Sequence, residues 1–82
     1  MATSQRPQPA LGKAIHEFRE RQGATQEAIA HEAGVTASTF GLIERGHSNP
    51  TWATLKDIAA ALGVSMIELA KAAERFERDE SA

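Results

Sequence analysis

Three histidines, His16, His31 and His47, are the side chains in this chain best suited to acid–base or metal chemistry. A zinc or catalytic site needs such groups to converge with carboxylates or thiolates at ligand spacing. These three fall on separate elements, there is no cysteine, and no HExxH pattern occurs. Glu27 and His31 are four residues apart, the spacing of an ordinary pair on the surface of a helix. The chain is therefore not expected to be an enzyme, with no catalytic residue, no metal site and no cofactor.

Positioning falls to a small fold, because 82 residues make one domain with one core, burying about 60% of the unfolded surface. No apolar run exceeds five residues and no basic stretch precedes one, so neither a membrane span nor a secretory signal is expected, and the protein should reside in the cytoplasm. The net charge of −2 is unlike that of most nucleic-acid binders. Its distribution is uneven. Residues 1–24 carry Arg6, Lys13, Arg19 and Arg21 against Glu17 and Glu20, while residues 64–82 carry Lys71, Arg75 and Arg78 against five carboxylates.

The first nine residues, with Pro7 and Pro9, read as an arm that cannot form a helix. It is either an unstructured terminus or a minor-groove arm carrying Arg6, and Pro9 also suits the first turn of the helix that follows. Leu11, Ala14, Ile15 and Phe18 recur at helical spacing and predict a first helix from Ala10 to Gln22, closed by Gly23. Thr25 caps a second helix over Gln26–Ala33, Gly34 breaks it, and Thr36 caps a third over Ala37–Glu44. Thr51 opens a fourth helix whose stripe is Trp52, Leu55, Ile58, Ala59 and Leu62, ended by Gly63. Ser65 and Glu68 form a capping box for a fifth, with Met66, Leu69, Ala73 and Phe76 on one stripe. Residues 79–82 are expected to fray, leaving 10–78 as the folded unit. The expectation is an all-α, compact five-helix domain with a helix-turn-helix at helices two and three, an arrangement that points to DNA.

From Leu11 to Leu69 the chain resembles the phage-repressor-like, or XRE-type, helix-turn-helix family. The resemblance rests on Leu11-Gly12 with Ile15 and Arg19, on Gly23-x-Thr25-Gln26-Glu27, and on Ala30 with Gly34. It continues through Ile43-Glu44-Arg45-Gly46, Asn49-Pro50, and Ile58-Ala59 with Ala61-Leu62-Gly63-Val64. It implies sequence-specific binding of double-stranded DNA by a dimeric transcriptional regulator, a repressor or controller, with helix three in the major groove. Gln26 then matches a position that touches a phosphate and braces the recognition helix; the plain alternative is a polar first-turn residue. Thr36 starts the recognition helix, and Ala37, Ser38, Thr39 and Leu42 match its outward face. Arg45 and His47 are the charges expected to face phosphate, ahead of Lys56 and Lys13, and Arg19 with Glu44 is implied to be a partly buried structural ion pair.

Two features depart from the family pattern. The outward face lacks the Gln, Arg or Asn that make bidentate base contacts, which shifts weight to shape-dependent readout. Gly41 lies inside the recognition helix, either for a close approach to the DNA backbone or as a tolerated position. Helix five is more apolar than a capping helix requires, so Ile67, Ala73 and Phe76 are expected to meet a partner. The expected partner is a second copy, giving a homodimer; the other candidate is a toxin held by an antitoxin of this fold.

Overall fold

The computed structural model describes residues 6–81, so Met1–Gln5, most of the expected arm, lies outside the described residues. Five helices follow one another: α1 Pro9–Gln22, α2 Gln26–Ala33, α3 Ala37–Glu44, α4 Trp52–Leu62 and α5 Met66–Ser81. Helix α1 starts at Pro9, one residue before the sequence expectation. Proline is suited to that place because a first-turn N–H has no partner within the helix.

The expected caps are present. The hydroxyls of Thr25, Thr36 and Thr51 accept from the backbone N–H three residues on, at 3.1 Å in each case. Ser65 and Glu68 exchange both bonds of a capping box, at 3.0 and 2.8 Å. At the turn between α2 and α3, Gly34 takes φ +78°, a left-handed conformation that costs other residues a clash at Cβ. The chain then doubles back, Val35 donates to the Ala30 carbonyl at 3.0 Å, and its side chain packs onto the core.

Helix α1 is central, lying against α3, α4 and α5, while α2 packs on α3 and α4. Phe40, Ile15, Ile29, Ile58 and Leu69 are fully buried where these helices meet. Each such side chain contributes roughly 1.5–3 kcal/mol of burial. No buried side-chain nitrogen or oxygen among the described residues lacks a hydrogen-bond partner.

Helix α5 departs from the sequence reading in two ways. Its helical backbone runs past residue 79 through Ser81, since nothing after Gly63 breaks a helix and α1 supports its second half. There Arg75 reaches Glu17 at 2.6 Å, and Ala73 and Phe76 pack, half-buried, against the core. Ala73 and Phe76 therefore belong to the monomer's own interior face. Ile67, nine residues before Phe76, lies on the opposite side of the helix and is 69% exposed. The three do not form one surface.

Candidate nucleic-acid interface

Helix α3 is held from behind by the carboxylate of its last residue. The Glu44 side chain is only 3% exposed, and side chains from two other helices converge on it. From α1, Arg19 donates through Nε to Oε2 at 2.9 Å and Oε1 at 3.2 Å, and through Nη2 to Oε2 at 2.9 Å. Arg19 Nη1 donates to the Ala24 carbonyl at 2.8 Å, which ties the same guanidinium to the α1–α2 turn. From α2, Gln26 Nε2 donates to Oε1 at 2.7 Å. Also from α1, His16 Nδ1 lies 2.6 Å from Oε2. Burial by itself raises the Glu44 pKa, but the hydrogen bonds from Gln26, His16 and Arg19 and the Arg19 charge outweigh it and hold the group below its ordinary value. The residue is a carboxylate at neutral pH.

The backbone is equally tight at this place. A Cβ on Gly12 would stand 2.5 Å from the Glu44 carbonyl oxygen and 2.8 Å from the Ile43 carbonyl oxygen. A Cβ on Gly46, which has φ +79°, would stand 2.5 Å from the Pro9 Cα. The start of α1 thus seats on the last turn of α3, and only glycine fits at both contacts.

The opposite face of α3 is open. Thr36, Ala37, Ser38, Thr39, Leu42, Arg45 and His47 are all exposed. At the amino end Thr36 is occupied as the cap, and its hydroxyl also donates to Thr39 Oγ1 at 3.0 Å. That bond fills an acceptor site on Thr39 and leaves the Thr39 hydroxyl hydrogen to point outward as a donor. Leu42, 43% exposed, is one of the described residues' few large apolar side chains in solvent. Gly41 lies on this outward side yet is buried, because a guanidinium nitrogen of Arg45 sits 3.1 Å from where its Cβ would be. Arg45 therefore lies back along α3.

Most of the residues singled out from the sequence come together here. Arg19 and Glu44 form the implied ion pair. The amide nitrogen of Gln26 is turned to Glu44, 2.7 Å from Oε1. The sequence reading missed His16, which it weighed only as a metal or catalytic group. The available signal was its position three residues before Arg19, on the same face of α1. Trp52, placed on the core stripe of α4, is instead 67% exposed at that helix's open first turn. With Leu11, Leu55, Met66, Ile67 and Ala70 it lines an apolar groove. The described residues contain no cluster of three or more potential metal ligands, and none of their helices is long and apolar enough to cross a membrane.

Known proteins share this architecture. Residues 10–73 match the family model described as a helix-turn-helix domain. The HTH-type transcriptional regulator YazB of Bacillus subtilis (strain 168) is 42% identical over 59 residues, covering 72% of this chain and 86% of YazB. The solved clp gene regulator ClgR from C. glutamicum superposes with a TM-score of 0.79 at 28% identity, over 82% of this chain and 86% of that one. The restriction-modification controller protein C.Esp1396I, solved as a tetramer in complex with its natural 35 base-pair operator, superposes with a TM-score of 0.76 at 25% identity, over 83% of this chain and 90% of that one.

Proposed function

Because the chain belongs to the XRE-type helix-turn-helix family of transcriptional regulators, DNA-binding proteins and not enzymes, we propose that it binds specific double-stranded DNA as a homodimer and represses or controls transcription. The observation that carries this reading is the two-sided construction of α3. Its inner end is pinned through Glu44 to α1 and α2, and its outer face of Ala37, Ser38, Thr39, Leu42 and Arg45 is exposed. A rigid helix with an open polar face and an apolar step is what major-groove reading requires.

Within this reading, Ser38 and the outward Thr39 hydroxyl contact base edges or phosphate, and Ala37 and Leu42 meet thymine methyl groups. Arg45 and His47 take phosphate. Gln26 keeps its contact to Glu44 and offers its remaining N–H and its helix N-terminus to a backbone phosphate. Contacts from backbone amides offset the scarcity of cations in a chain of net charge −2.

The surface proposed for the second copy is the groove of Leu11, Trp52, Leu55, Met66, Ile67 and Ala70, with Ile67 retained and Ala73 and Phe76 withdrawn into the monomer. Two copies paired there would have to hold their α3 helices about 34 Å apart to enter successive major grooves. Assembly of the C.Esp1396I controller as a tetramer on its operator supports more than one copy on DNA. Such a protein would work in the cytoplasm, at the chromosome.

Selection of bound duplexes from a random pool tests the reading. The expected product is a two-fold symmetric site with half-sites one helical turn apart, bound more weakly as salt rises. No enriched sequence, together with co-purification of a second small protein, would replace this function with the antitoxin role.

A further inference from the structure

We infer that His16 is a positioning residue for the recognition helix, acting through Glu44 by a hydrogen on Nδ1 that it donates to the carboxylate. The inference deepens the DNA-reading function and rests on it. Nδ1 stands 2.6 Å from Glu44 Oε2, and an ionised carboxylate only accepts hydrogen bonds. Nδ1 must therefore hold the hydrogen and donate it. The Arg19 Nη2 nitrogen, 3.4 Å from the same Nδ1, cannot use that nitrogen as an acceptor and turns to Oε2 instead, at 2.9 Å. The second ring nitrogen, Nε2, faces Glu20 at 3.8 Å. Lys13 and Arg45 line the same depression.

The geometry makes the bond directional. Oε1 is held by Gln26 and Arg19 on one side, and Oε2 is shared by Arg19 and His16 on the other. With His16 present, donors from α1 and α2 fix the plane of the carboxylate. Without it, Oε2 keeps only the Arg19 donors, and the end of α3 that bears Leu42 and Arg45 is held less firmly. The imidazole is half in water, with 53% of its side chain exposed, so the bond is worth less than a fully buried one. The expected loss of DNA affinity is about threefold to tenfold.

The test uses the full chain and the duplex that it selects. Nitrogen-15 imidazole spectra should show a hydrogen on His16 Nδ1, bonded to the carboxylate. His16→Asn, whose amide nitrogen replaces Nδ1 as a donor, should bind DNA within about twofold of the parent, while His16→Leu, with an unchanged helical circular dichroism spectrum, should bind about threefold to tenfold more weakly. An Nδ1 without a hydrogen, a His16→Leu variant that binds like the parent, or a His16→Asn variant as weak as His16→Leu overturns the inference with DNA binding intact. A parent chain that shows the Nδ1 hydrogen but selects no duplex overturns it through the DNA-reading function. If His16→Leu does not fold, the Nδ1 hydrogen and the His16→Asn affinity decide.

Discussion

Gly12 of α1 faces the Glu44 carbonyl oxygen so closely that a Cβ on Gly12 would stand 2.5 Å from it, with the Gly46 nitrogen at 2.8 Å. All the atoms in the way are backbone, so no side chain can swing aside. Gly12→Ala must separate α1 from the last turn of α3, and overpacking of this kind costs about 1–3 kcal/mol. Urea unfolding should place the variant at the upper end of that range. Its DNA affinity should fall even at temperatures where it stays folded, because the same displacement moves α3, the helix proposed to read DNA.

The Arg19–Glu44 pair gives a second prediction. With the two side chains 13% and 3% exposed, water screens the pair little, and removing one partner strands the other. Arg19→Met is expected to cost about 2–4 kcal/mol, and the double variant Arg19→Met with Glu44→Leu less than the sum of the single changes. A double-mutant cycle in urea should return a coupling above about 1 kcal/mol; additive single effects would mean that the pair is not cooperative.

Stability should fall in acid for a stated reason. The folded pKa of Glu44 lies below its ordinary value of 4.5, because hydrogen bonds from Gln26, His16 and Arg19 outweigh the opposing effect of burial. In the window between the two values the unfolded chain binds more protons than the folded one, so unfolding free energy rises with pH there. The Glu44 contribution is complete above 4.5 and disappears as pH falls through the folded value. Urea midpoints measured from about pH 6 to about pH 3 should show this loss, and Glu44→Gln should have a lower midpoint at pH 6 and a shallower fall.

These contacts divide according to what a linear pattern can express. Helix limits and caps were legible because a threonine or serine before an apolar repeat, and a glycine after it, act within four residues. The α1–α3 ion pair was legible only through the family resemblance, since no local rule links Arg19 to Glu44. His16 reaches Glu44 across 28 positions, and its role depends on the rotation of α1, which periodicity leaves open by one side chain. Helix α5 shows the same limit. Its stripe was visible, but whether α1 or a second chain covers Phe76 depends on tertiary packing. Trp52 kept the helical period yet lies at the stripe's edge, where the first turn of α4 leaves it uncovered.

The two faces of α5 can be told apart by one charge each. Ile67→Glu places a carboxylate in the exposed groove beside Trp52 and Met66, and on the proposed pairing should shift sedimentation from dimer to monomer with little change in the melting of the monomer. Phe76→Glu puts the charge against α1 and the core, and should lower stability by about 2 kcal/mol or more. If Phe76→Glu dissociates a dimer without destabilising the fold, and Ile67→Glu leaves the dimer intact, the copies meet on the far half of α5.

Arg45 and Gly41 give the most direct measurement on the DNA side. A phosphate contact carries no sequence information, so Arg45→Gln should weaken binding alike on selected and unrelated duplexes. It should also reduce the slope of log affinity against log salt by about 0.9. Gly41→Ala removes a glycine from a helix interior, a gain of up to about 1 kcal/mol, and the group it crowds at 3.1 Å is the tip of the flexible Arg45 side chain. The variant should therefore melt higher. The guanidinium, displaced outward, remains able to reach phosphate, and DNA affinity should stay within about threefold. A stabilised Gly41→Ala protein that loses tenfold or more in affinity would instead mean that DNA comes within contact of the helix backbone at this position, with glycine required for that approach.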